Sequence, residues 1–359
     1  MQEIYAQAPR LDFNDVLIRP RESSLDSRSK VNLTSKTLKR LLGINTNGII
    51  AANMDGVGTI EVAKTLHAHG CMTALHKHYD IETLIEFFST PESSHAFYSM
   101  GITKADVEKF YTFYAEYKTR NADREFPLKV CIDVANGYMD KFAHFCETVR
   151  AFCPDVIIMA GNVVDVRGAN KLTGVDIVKV GIGQGSNCLT RTQTGIGYPQ
   201  FSAIYDIFNP ADYDPHLDTD KIICSDGGCV SPGDIAKAIG AGADTVMLGG
   251  MLAGTDQGGG DIIEISDQKF VEFYGMSSAT AQKKHNGGLK EYRSSEGRTT
   301  LIPYKGDMDA VIQNILGGIR STCTYVGAEN IDELSSKARF IRVNSVLNKS
   351  MEKFTVGMQ

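Results

Sequence analysis

Residues 129–161 read KVCIDVANGYMDKFAHFCETVRAFCPDVIIMAG. A short and mostly apolar run, Lys129–Val134, leads through a glycine turn into an amphipathic stretch, Tyr138–Phe152, and then into a second run, Val156–Gly161. The second run is apolar throughout instead of alternating, as expected for a parallel strand that is covered on both faces. The stretch therefore predicts a strand–helix–strand unit of a parallel sheet.

The same rhythm extends in both directions along the chain. Six further short runs have strand character, namely Gly48–Asn53, Cys71–Leu75, Ala96–Met100, Asp176–Val180, Lys221–Ser225 and Thr245–Leu248. Four further stretches have helical periodicity, namely Thr59–His69, Ile81–Phe88, Lys104–Lys118 and Ser231–Ile239. Eight strand-then-helix units favour an α/β fold of the (β/α)8 TIM-barrel type over a doubly wound sheet.

Two segments interrupt this rhythm. Residues 1–47 precede the first strand as an N-terminal extension, and residues 254–304 form a long, polar, glycine-rich stretch after the eighth strand. A loop of that length is usually functional, so we expect an active-site flap there, with a helix resuming at Asp307–Leu316. No shift in composition marks a linker, and residues 1–359 are expected to form a single catalytic domain.

Composition restricts the class of protein. The 359 residues include 37 basic and 43 acidic ones, a net charge of −6, which argues against a dedicated binder of nucleic acid or of anionic membranes. No apolar run is long enough to span a membrane, and neither end resembles a signal peptide or a targeting tail. The eight cysteines are scattered without a Cys-x-x-Cys pair, as in a reduced cytoplasmic protein.

The segment after the sixth run carries the strongest chemical signal. It reads Gly181-Ile-Gly-Gln-Gly-Ser-Asn-Cys-Leu-Thr-Arg191, and barrels place their active sites after their strands. Closely spaced glycines let the backbone approach a ligand, and Ser186 can hold a phosphate. Cys188 near Arg191 would favour the thiolate. We interpret this segment as a nucleophile loop in preference to a flexible surface loop with an incidental thiol. It lacks the Rossmann spacing.

Three other features add to this reading. Asp226-Gly-Gly228 and Gly249-Gly250 follow the seventh and eighth runs, where barrels commonly bind phosphate, and Asp226 fits either a ribose contact or a helix cap. A carboxylate in the flap would become a general acid or base once the flap excludes water. His76-Lys-His78 follows the second run, and we favour Lys77 as an anion or cofactor contact over a metal site on the histidines.

In chain order, the motifs resemble the IMP dehydrogenase/GMP reductase family. They are Gly183-x-Gly-Ser-x-Cys188-x-Thr190-Arg191, Ser225-Asp-Gly-Gly228, Val246-Met-Leu-Gly-Gly-Met-Leu-Ala-Gly254, Tyr274-Gly-Met-Ser277 and Gly317-Gly-Ile-Arg-Ser321. The likeness runs from Leu11 to Val343. Dehydrogenases of the family usually carry a regulatory insert after the second strand, and about twenty residues are too few for one here. The flap order Glu291-Tyr292-Arg293 and the segments Asn53-Met-Asp55 and His76-Lys-His-Tyr79 resemble the reductase branch.

The resemblance implies a reaction and the residues for it. The reaction is the NADPH-dependent reductive deamination of GMP to IMP and ammonia, in purine nucleotide interconversion. The resemblance assigns catalysis to Cys188 as nucleophile, Thr190 as proton relay and Glu291 as acid. It assigns GMP binding to Ser186, Asp226, Gly227, Gly228, Gly249, Gly250, Gly275, Met276, Ser277, Arg293, Ser294, Ser295, Glu296 and Gly297.

Cofactor and cation contacts follow from the same resemblance. NADPH is expected at Lys77, Asp133, Met276 and Tyr292, and at Ser27, Arg28, Ser321, Thr322, Cys323 and Thr324, the last six from a neighbouring subunit of a homotetramer. A monovalent cation, K⁺, is expected at Gly183, Gly185, Cys188 and Arg191. Gln184, Asn187 and Leu189 depart from the residues that are usual in the family's loop.

Three alternatives remain open from the sequence. One is an IMP dehydrogenase without its insert, which would use NAD⁺ and water. Another is a non-catalytic barrel that binds purine nucleotides. The third, an aldolase or isomerase barrel, would need a Schiff-base lysine or paired carboxylates at the strand ends, and we find no convincing set.

Overall fold

The computed structural model describes residues 9–210, 220–288, 290–292 and 294–344. Its centre is a closed barrel of eight parallel strands in chain order, in which the last strand pairs with the first through Ile50 and Met247. The barrel strands are β2 Ile49–Ala51, β3 Met72–Ala74, β4 Ala96–Met100, β5 Lys129–Asp133, β6 Ile157–Val163, β7 Ile177–Val180, β8 Ile222–Asp226 and β9 Thr245–Leu248. The predicted (β/α)8 barrel is confirmed, and each of the eight predicted runs contains or overlaps a strand.

Helices alternate with these strands and cover the barrel. They are α1 Lys36–Leu42, α2 Ile60–Ala68, α3 Ile81–Phe88, α4 Lys104–Arg120, α5 Asp140–Phe152, α6 Val166–Lys171, α7 Thr190–Thr194, α8 Gln200–Phe208, α9 Pro232–Gly240, α10 Ala279–Asn286, α11 Met308–Val326 and α12 Leu334–Lys337. Short 3-10 turns lie at Phe13–Asp15, Arg28–Lys30, Pro91–His95 and Ile331–Glu333. Only α3 and one such turn separate β3 from β4, so no inserted module is present there.

Local sequence explains where these helices begin. Ser231 caps α9 through the Asp234 amide, Asp234 completes a capping box, and Pro232 occupies the first turn. Thr103 and Asp106 form the same box at the start of α4. None of the helices in the described ranges is long and apolar enough to cross a membrane.

Helix α11 is longer than predicted. The prediction ended it at Leu316, because Gly317 and Gly318 normally weaken a helix. The helix nevertheless continues to Val326, and a Cβ on Gly318 would lie 2.4 Å from the Cβ of Pro232. The glycine is therefore a packing requirement at the contact between α11 and α9, not a helix end.

The segment predicted as a flap has more regular structure than expected. It contains the antiparallel strands β10 Ile262–Ile265, β11 Gln268–Tyr274 and β12 Thr299–Pro303, and helix α10 lies between β11 and β12. Strand β10 is exposed along its length and follows three consecutive glycines, Gly258 to Gly260, so its sequence has the character of a loop. A separate small sheet pairs β1 Val16–Ile18 with β13 Phe340–Arg342 and joins the two ends of the described chain.

Candidate active site

A cleft of about 790 Å³ opens beside the carboxyl ends of the barrel strands. Its volume is in the range of small-molecule sites, and its position is that of active sites in β/α barrels. Loops after six of the strands (β2 and β5 to β9) and the flap form its walls. The cleft brings together these predicted site residues: Asp133, Gly183, Gly185, Ser186, Cys188, Thr190, Asp226, Gly227, Gly228, Gly249, Gly250, Gly275, Met276, Ser277, Glu296 and Gly297.

The loop after β7 presents the thiol. Gly181, with φ +144°, is a position where a Cβ would lie 2.1 Å from the Asp226 carbonyl oxygen, so no other residue fits. The Cys188 amide donates to the Gly185 carbonyl over 2.9 Å, which turns the chain back on itself. The Cys188 Sγ then lies 3.2 Å from the Thr190 Oγ1, at the start of α7.

A carboxylate of the flap extends the contact between Cys188 and Thr190. The Thr190 hydroxyl donates to Glu296 Oε2 over 2.7 Å, and the Leu189 amide donates to the Glu296 carbonyl over 2.6 Å. Cys188 and Gly297 also form an isolated antiparallel bridge. The Cys188 thiol, the Thr190 hydroxyl and the Glu296 carboxylate therefore form a chain of hydrogen bonds. A nucleophile with a proton relay requires this arrangement.

The carboxylate in this position differs from the predicted one. The prediction placed Glu291 at Thr190, but Glu291 is exposed and does not line the cleft. The bridge at Gly297 fixes the register of the flap, so the adjacent Glu296 meets Thr190. One signal in the sequence was the glycine after Glu296, because a Cβ on Gly297 would lie 2.7 Å from the Ser278 amide nitrogen.

Cys188 differs from most of the other cysteines in its environment. Burial raises the pKa of Cys131 and of Cys224 to about 12, and these two thiols are fully enclosed by the barrel. All eight cysteines are free, and Cys188 and Cys229 are the two that are not buried. Cys229 also lines the cleft, but although the residue as a whole is partly exposed, desolvation of its thiol raises the pKa of that thiol well above its ordinary value. Cys188 is the thiol that faces both the cleft and a proton acceptor.

Asn187, one of the residues that depart from the usual family loop, links the loop after β7 that carries Cys188 (the thiol loop) to the flap. Its Nδ2 donates to the Phe273 carbonyl over 3.0 Å, and its Oδ1 accepts from the Thr300 hydroxyl over 3.2 Å. The Arg298 amide donates to the Asn187 carbonyl over 2.9 Å. Both β11 and β12 are therefore tied to the residue next to Cys188.

A buried lysine that the sequence prediction overlooked joins two cleft carboxylates. Lys179 lies on β7 with its side chain 1% exposed, and its Nζ is 2.5 Å from Asp133 Oδ1 and 3.3 Å from Asp226 Oδ2. Asn53 and Asn162 donate to the second oxygen of Asp133 and to Asp226, over 2.9 and 2.8 Å. The sequence signal for Lys179 was its position inside β7, a strand that is otherwise apolar.

Charge holds this network together. Burial alone would lower the pKa of Lys179, but Asp133 and Asp226 outweigh it and raise that pKa well above its ordinary value. Burial would likewise raise the pKa of Asp133, yet Lys179 and Asn53 bring it below its ordinary value. The lysine thus keeps charge on a buried carboxylate that lines the cleft.

Replacing Lys179 by methionine should destabilise the protein by about 3 kcal/mol, since one partner of a buried ion network is lost and two carboxylates are left facing each other. Urea unfolding followed by circular dichroism measures this. Lys64→Met is the matched control, because Lys64 pairs with Glu61 on the surface, and it should cost less than about 1 kcal/mol. Equal losses in the two variants would contradict the role given to Lys179.

Comparison with known proteins establishes the family of the chain. Residues 10–351 match the model of the IMP dehydrogenase / GMP reductase domain. The chain belongs to the IMP dehydrogenase/GMP reductase family. It is similar to the GMP reductase of Vibrio campbellii, 47% identical over 354 residues that cover 97% of this chain and 99% of the relative. The GMP reductase of Caenorhabditis elegans is 46% identical, with 97% and 96% covered.

Several residues that the family resemblance assigns to phosphate binding line the cleft. Ser186, Gly249, Gly250, Gly275 and Ser277 line it together. A Cβ on Gly250 would lie 3.0 Å from the Ser186 Oγ, so the two loops approach each other closely. The exposed backbone amides of such loops suit a phosphate group.

Other residues predicted from the family resemblance do not line the cleft. Tyr292 is 81% exposed, Lys77 forms an ion pair with Asp106 at 3.1 Å, and Ser294 donates to Gln193 over 2.9 Å. Ser295 donates within the flap, to the Gly297 carbonyl. Arg293 lies outside the described residues. These positions are therefore not assembled around Cys188 in this conformation.

The remaining cofactor positions lie on another surface. The 3-10 turn at Arg28–Lys30 packs against α11, which carries Ser321, Thr322, Cys323 and Thr324, and none of these lines the cleft. Arg28 is exposed, as a contact to another molecule requires. The Cys323 side chain is fully buried within the chain, so a cofactor contact at this position would involve its backbone, and the assignment stays a prediction.

The loop predicted to hold a cation offers oxygen donors of the right type. Gly183, Gly185 and Cys188 each contribute a backbone carbonyl to this loop, and the Gly185 carbonyl accepts from the Cys188 amide. Such hard ligands suit a monovalent cation. Arg191 contributes differently, because its guanidinium donates to Asp12 over 3.1 Å and to the Tyr198 carbonyl over 3.2 Å. It anchors the end of the loop.

Proposed function

We propose that this chain is a GMP reductase, which converts GMP to IMP and ammonia with NADPH through a covalent bond between Cys188 and purine C2. The observation that carries the proposal is the sequence of contacts from Cys188 through Thr190 to Glu296 in the cleft. The similarity to the GMP reductases of Vibrio campbellii and Caenorhabditis elegans, over nearly the whole chain, supports it.

The thiol is needed because guanine C2 is a poor electrophile and its amino group is a poor leaving group. Attack by the Cys188 thiolate converts C2 into a tetrahedral centre from which the amine can leave. The thiol proton has a path to Glu296 through the Thr190 hydroxyl, which donates to that carboxylate.

The same path serves the departing nitrogen. Glu296, protonated by the first step, returns the proton through Thr190 to the amine, which leaves as ammonia. The purine is then held to Cys188 as a thioimidate. This assignment gives Glu296 the role that the sequence prediction gave to Glu291, and the two are separated by experiment below.

NADPH, when bound, supplies the hydride for C2. The cleft suits such a group beside the purine, because its volume allows a second planar ring and because Asp133 and Met276 line it. Asp226 also lines the cleft, and its carboxylate would accept hydrogen bonds from the ribose hydroxyls. The flap covers the thioimidate and excludes water, which would otherwise yield XMP. Cys188 finally leaves as thiolate, and IMP is released.

Arg28 and the α11 residues enter this proposal through a neighbouring subunit of a tetramer. An exposed guanidinium is suited to the 2′-phosphate that distinguishes NADPH from NADH. The K⁺ proposed for the Gly183–Cys188 turn would order the nucleophile loop. We also place the protein in the cytoplasm, since its eight free thiols suit a reducing compartment.

Arg28→Ala should raise the KM for NADPH by about tenfold, because a charge-assisted contact typically contributes about 1.5 kcal/mol or more, and should leave the KM for NADH unchanged. Steady-state kinetics with both cofactors measure the difference. Lys30→Ala is a neighbouring control in the same turn, since Lys30 pairs with Asp26. A similar rise in KM for NADPH and for NADH would contradict the assignment of Arg28 to the 2′-phosphate. Light scattering would measure whether the protein is a tetramer.

The proposed function is tested by incubating the protein with GMP and NADPH in potassium buffer. We expect IMP, ammonia and NADP⁺ in equal amounts. NADH formed from IMP and NAD⁺ instead would indicate the dehydrogenase reaction. Binding of GMP without turnover in either assay would indicate a nucleotide-binding barrel that is not an enzyme.

A further inference from the structure

Three potential metal ligands meet on the barrel rim, outside the Cys188 relay. Asp55 follows β2, His78 follows β3, and His285 lies on α10 of the flap. One ligand atom from each lies within 4.8 Å of the other two. They are far apart in sequence, so only the docking of the flap onto the rim brings them together.

Asp55 has an oxygen without a partner. Its side chain is 7% exposed, and its Oδ2 accepts from the Tyr274 hydroxyl over 2.7 Å and lies 2.5 Å from His285 Nε2. Its Oδ1 is buried and has no hydrogen-bond partner among the described residues, and the nearest basic atom is His78 Nε2 at 3.9 Å. An unsatisfied buried carboxylate oxygen is costly, and a cation would satisfy it.

We propose that Asp55, His78 and His285 bind a divalent first-row transition-metal ion of the Zn²⁺ class. Two imidazoles and one carboxylate form a donor set that suits such ions better than Mg²⁺ or Ca²⁺, which prefer oxygen ligands alone. The ion replaces the proton that His285 Nε2 shares with Asp55, and that proton is released to solvent.

The distances allow this with small movements. A tetrahedral ion with bonds of about 2.0–2.2 Å holds its ligand atoms about 3.3 Å apart. His285 Nε2 lies 2.5 Å from Asp55 Oδ2, and His78 Nε2 lies 3.9 Å from Asp55 Oδ1, so each imidazole faces a different oxygen of the carboxylate. The carboxylate must therefore turn to present one oxygen to the ion, or bind it through both. The His78 and His285 rings are stacked, with centroids 3.4 Å apart and planes 5° from parallel. They must tilt apart for both Nε2 lone pairs to point at one ion. His285 belongs to the flap, which can adjust.

One positive charge competes with the ion. Lys284 Nζ lies 3.6 Å from Asp55 Oδ2 and 3.1 Å from the Tyr274 hydroxyl oxygen. Its side chain is 58% exposed, so it can turn into solvent when the ion binds. Removing this charge should therefore strengthen metal binding, whereas removing a ligand should weaken it.

Metal binding would cross-link the flap to the barrel. The ion would join α10 of the flap to the rim loops after β2 and β3, and would hold the flap on the barrel. It is not a participant in the chemistry at Cys188, so the proposal does not depend on the proposed function.

The test uses the full-length, chelator-treated protein and Co²⁺ or Zn²⁺ as the only added metal. We expect one equivalent of Co²⁺ to give visible absorption bands that Zn²⁺ abolishes. His285→Gln and Asp55→Asn should each weaken binding by more than about 100-fold, because loss of even an outer-shell partner commonly costs about 10–100-fold. Lys284→Gln should tighten binding. His144→Gln is the control, because His144 is 83% exposed on α5.

Folding of each variant is checked by its metal-free melting temperature, so that a misfolded variant is not scored as a lost ligand. Zn²⁺ should also slow proteolysis within 279–288 in the wild-type chain and not in His285→Gln. The proposal is overturned if the wild type takes up no stoichiometric Co²⁺ or Zn²⁺. It is equally overturned if His285→Gln binds as tightly as His144→Gln.

Discussion

Cys188→Ala is expected to reduce NADPH oxidation in the presence of GMP by at least about 10⁴-fold, the loss typical of removing a catalytic nucleophile. The thiolate provides the bond that makes C2 tetrahedral, and nothing else within hydrogen-bond reach of Thr190 replaces it among the described residues. GMP should still bind, because the phosphate and ribose contacts proposed for it do not involve the thiol. Stopped-flow absorbance and a GMP binding titration measure the two properties separately.

Cys229→Ala is the matched control for this prediction. Cys229 is the other cysteine that lines the cleft without being buried in the core, but its thiol has a strongly raised pKa and no described contact with Thr190. The variant should keep most of its activity. An active Cys188→Ala variant, or an inactive Cys229→Ala variant, would show that the covalent step has been assigned to the wrong thiol.

Glu296→Gln should lower kcat toward the upper end of the range of about 10²–10⁴-fold that general acid–base catalysis contributes. Glutamine keeps the size of the side chain and can still accept the hydrogen bond from Thr190, but it cannot deliver a proton to the departing amine. The loss should fall on ammonia release. Hydride exchange between IMP and NADP⁺, which needs no amine protonation, should be affected less, and rapid-quench experiments separate the two steps.

Glu291→Gln provides the control within the same flap. Glu291 is exposed and does not line the cleft, so its replacement should change kcat little. If Glu291→Gln loses ammonia release while Glu296→Gln retains it, the flap must rearrange during turnover, and the acid is the residue that the sequence prediction chose.

The barrel could be predicted because its signal is local and repeated. Runs such as Ala96–Met100 and Thr245–Leu248 are mostly apolar, and the structure gives them as strands with the same bounds. Strand β10 was not predicted because its isoleucines are exposed and it pairs with a single flap strand, β11. Helix α11 was cut short because the packing of Gly318 on Pro232 involves residues far apart in sequence.

The site was predictable where one loop carries it, and less so where two segments meet. Cys188 and Thr190 are two residues apart, so their contact follows from the motif. The partner of Thr190 depends on the register between the thiol loop and the flap, which the bridge from Cys188 to Gly297 sets. The ion network of Lys179 likewise joins three strands of the barrel, and no local pattern reveals it.

The central claim is that purine C2 becomes covalently bound to Cys188 during turnover. The most direct test is the intact mass of the protein incubated with IMP and NADP⁺ in the absence of ammonia, then quenched in acid. Run in this direction, hydride removal should leave a thioimidate that no amine can release. We predict a mass increase equal to GMP less ammonia, located on the peptide that contains Cys188 and absent in Cys188→Ala. An unmodified protein that nevertheless forms IMP from GMP and NADPH would contradict the account.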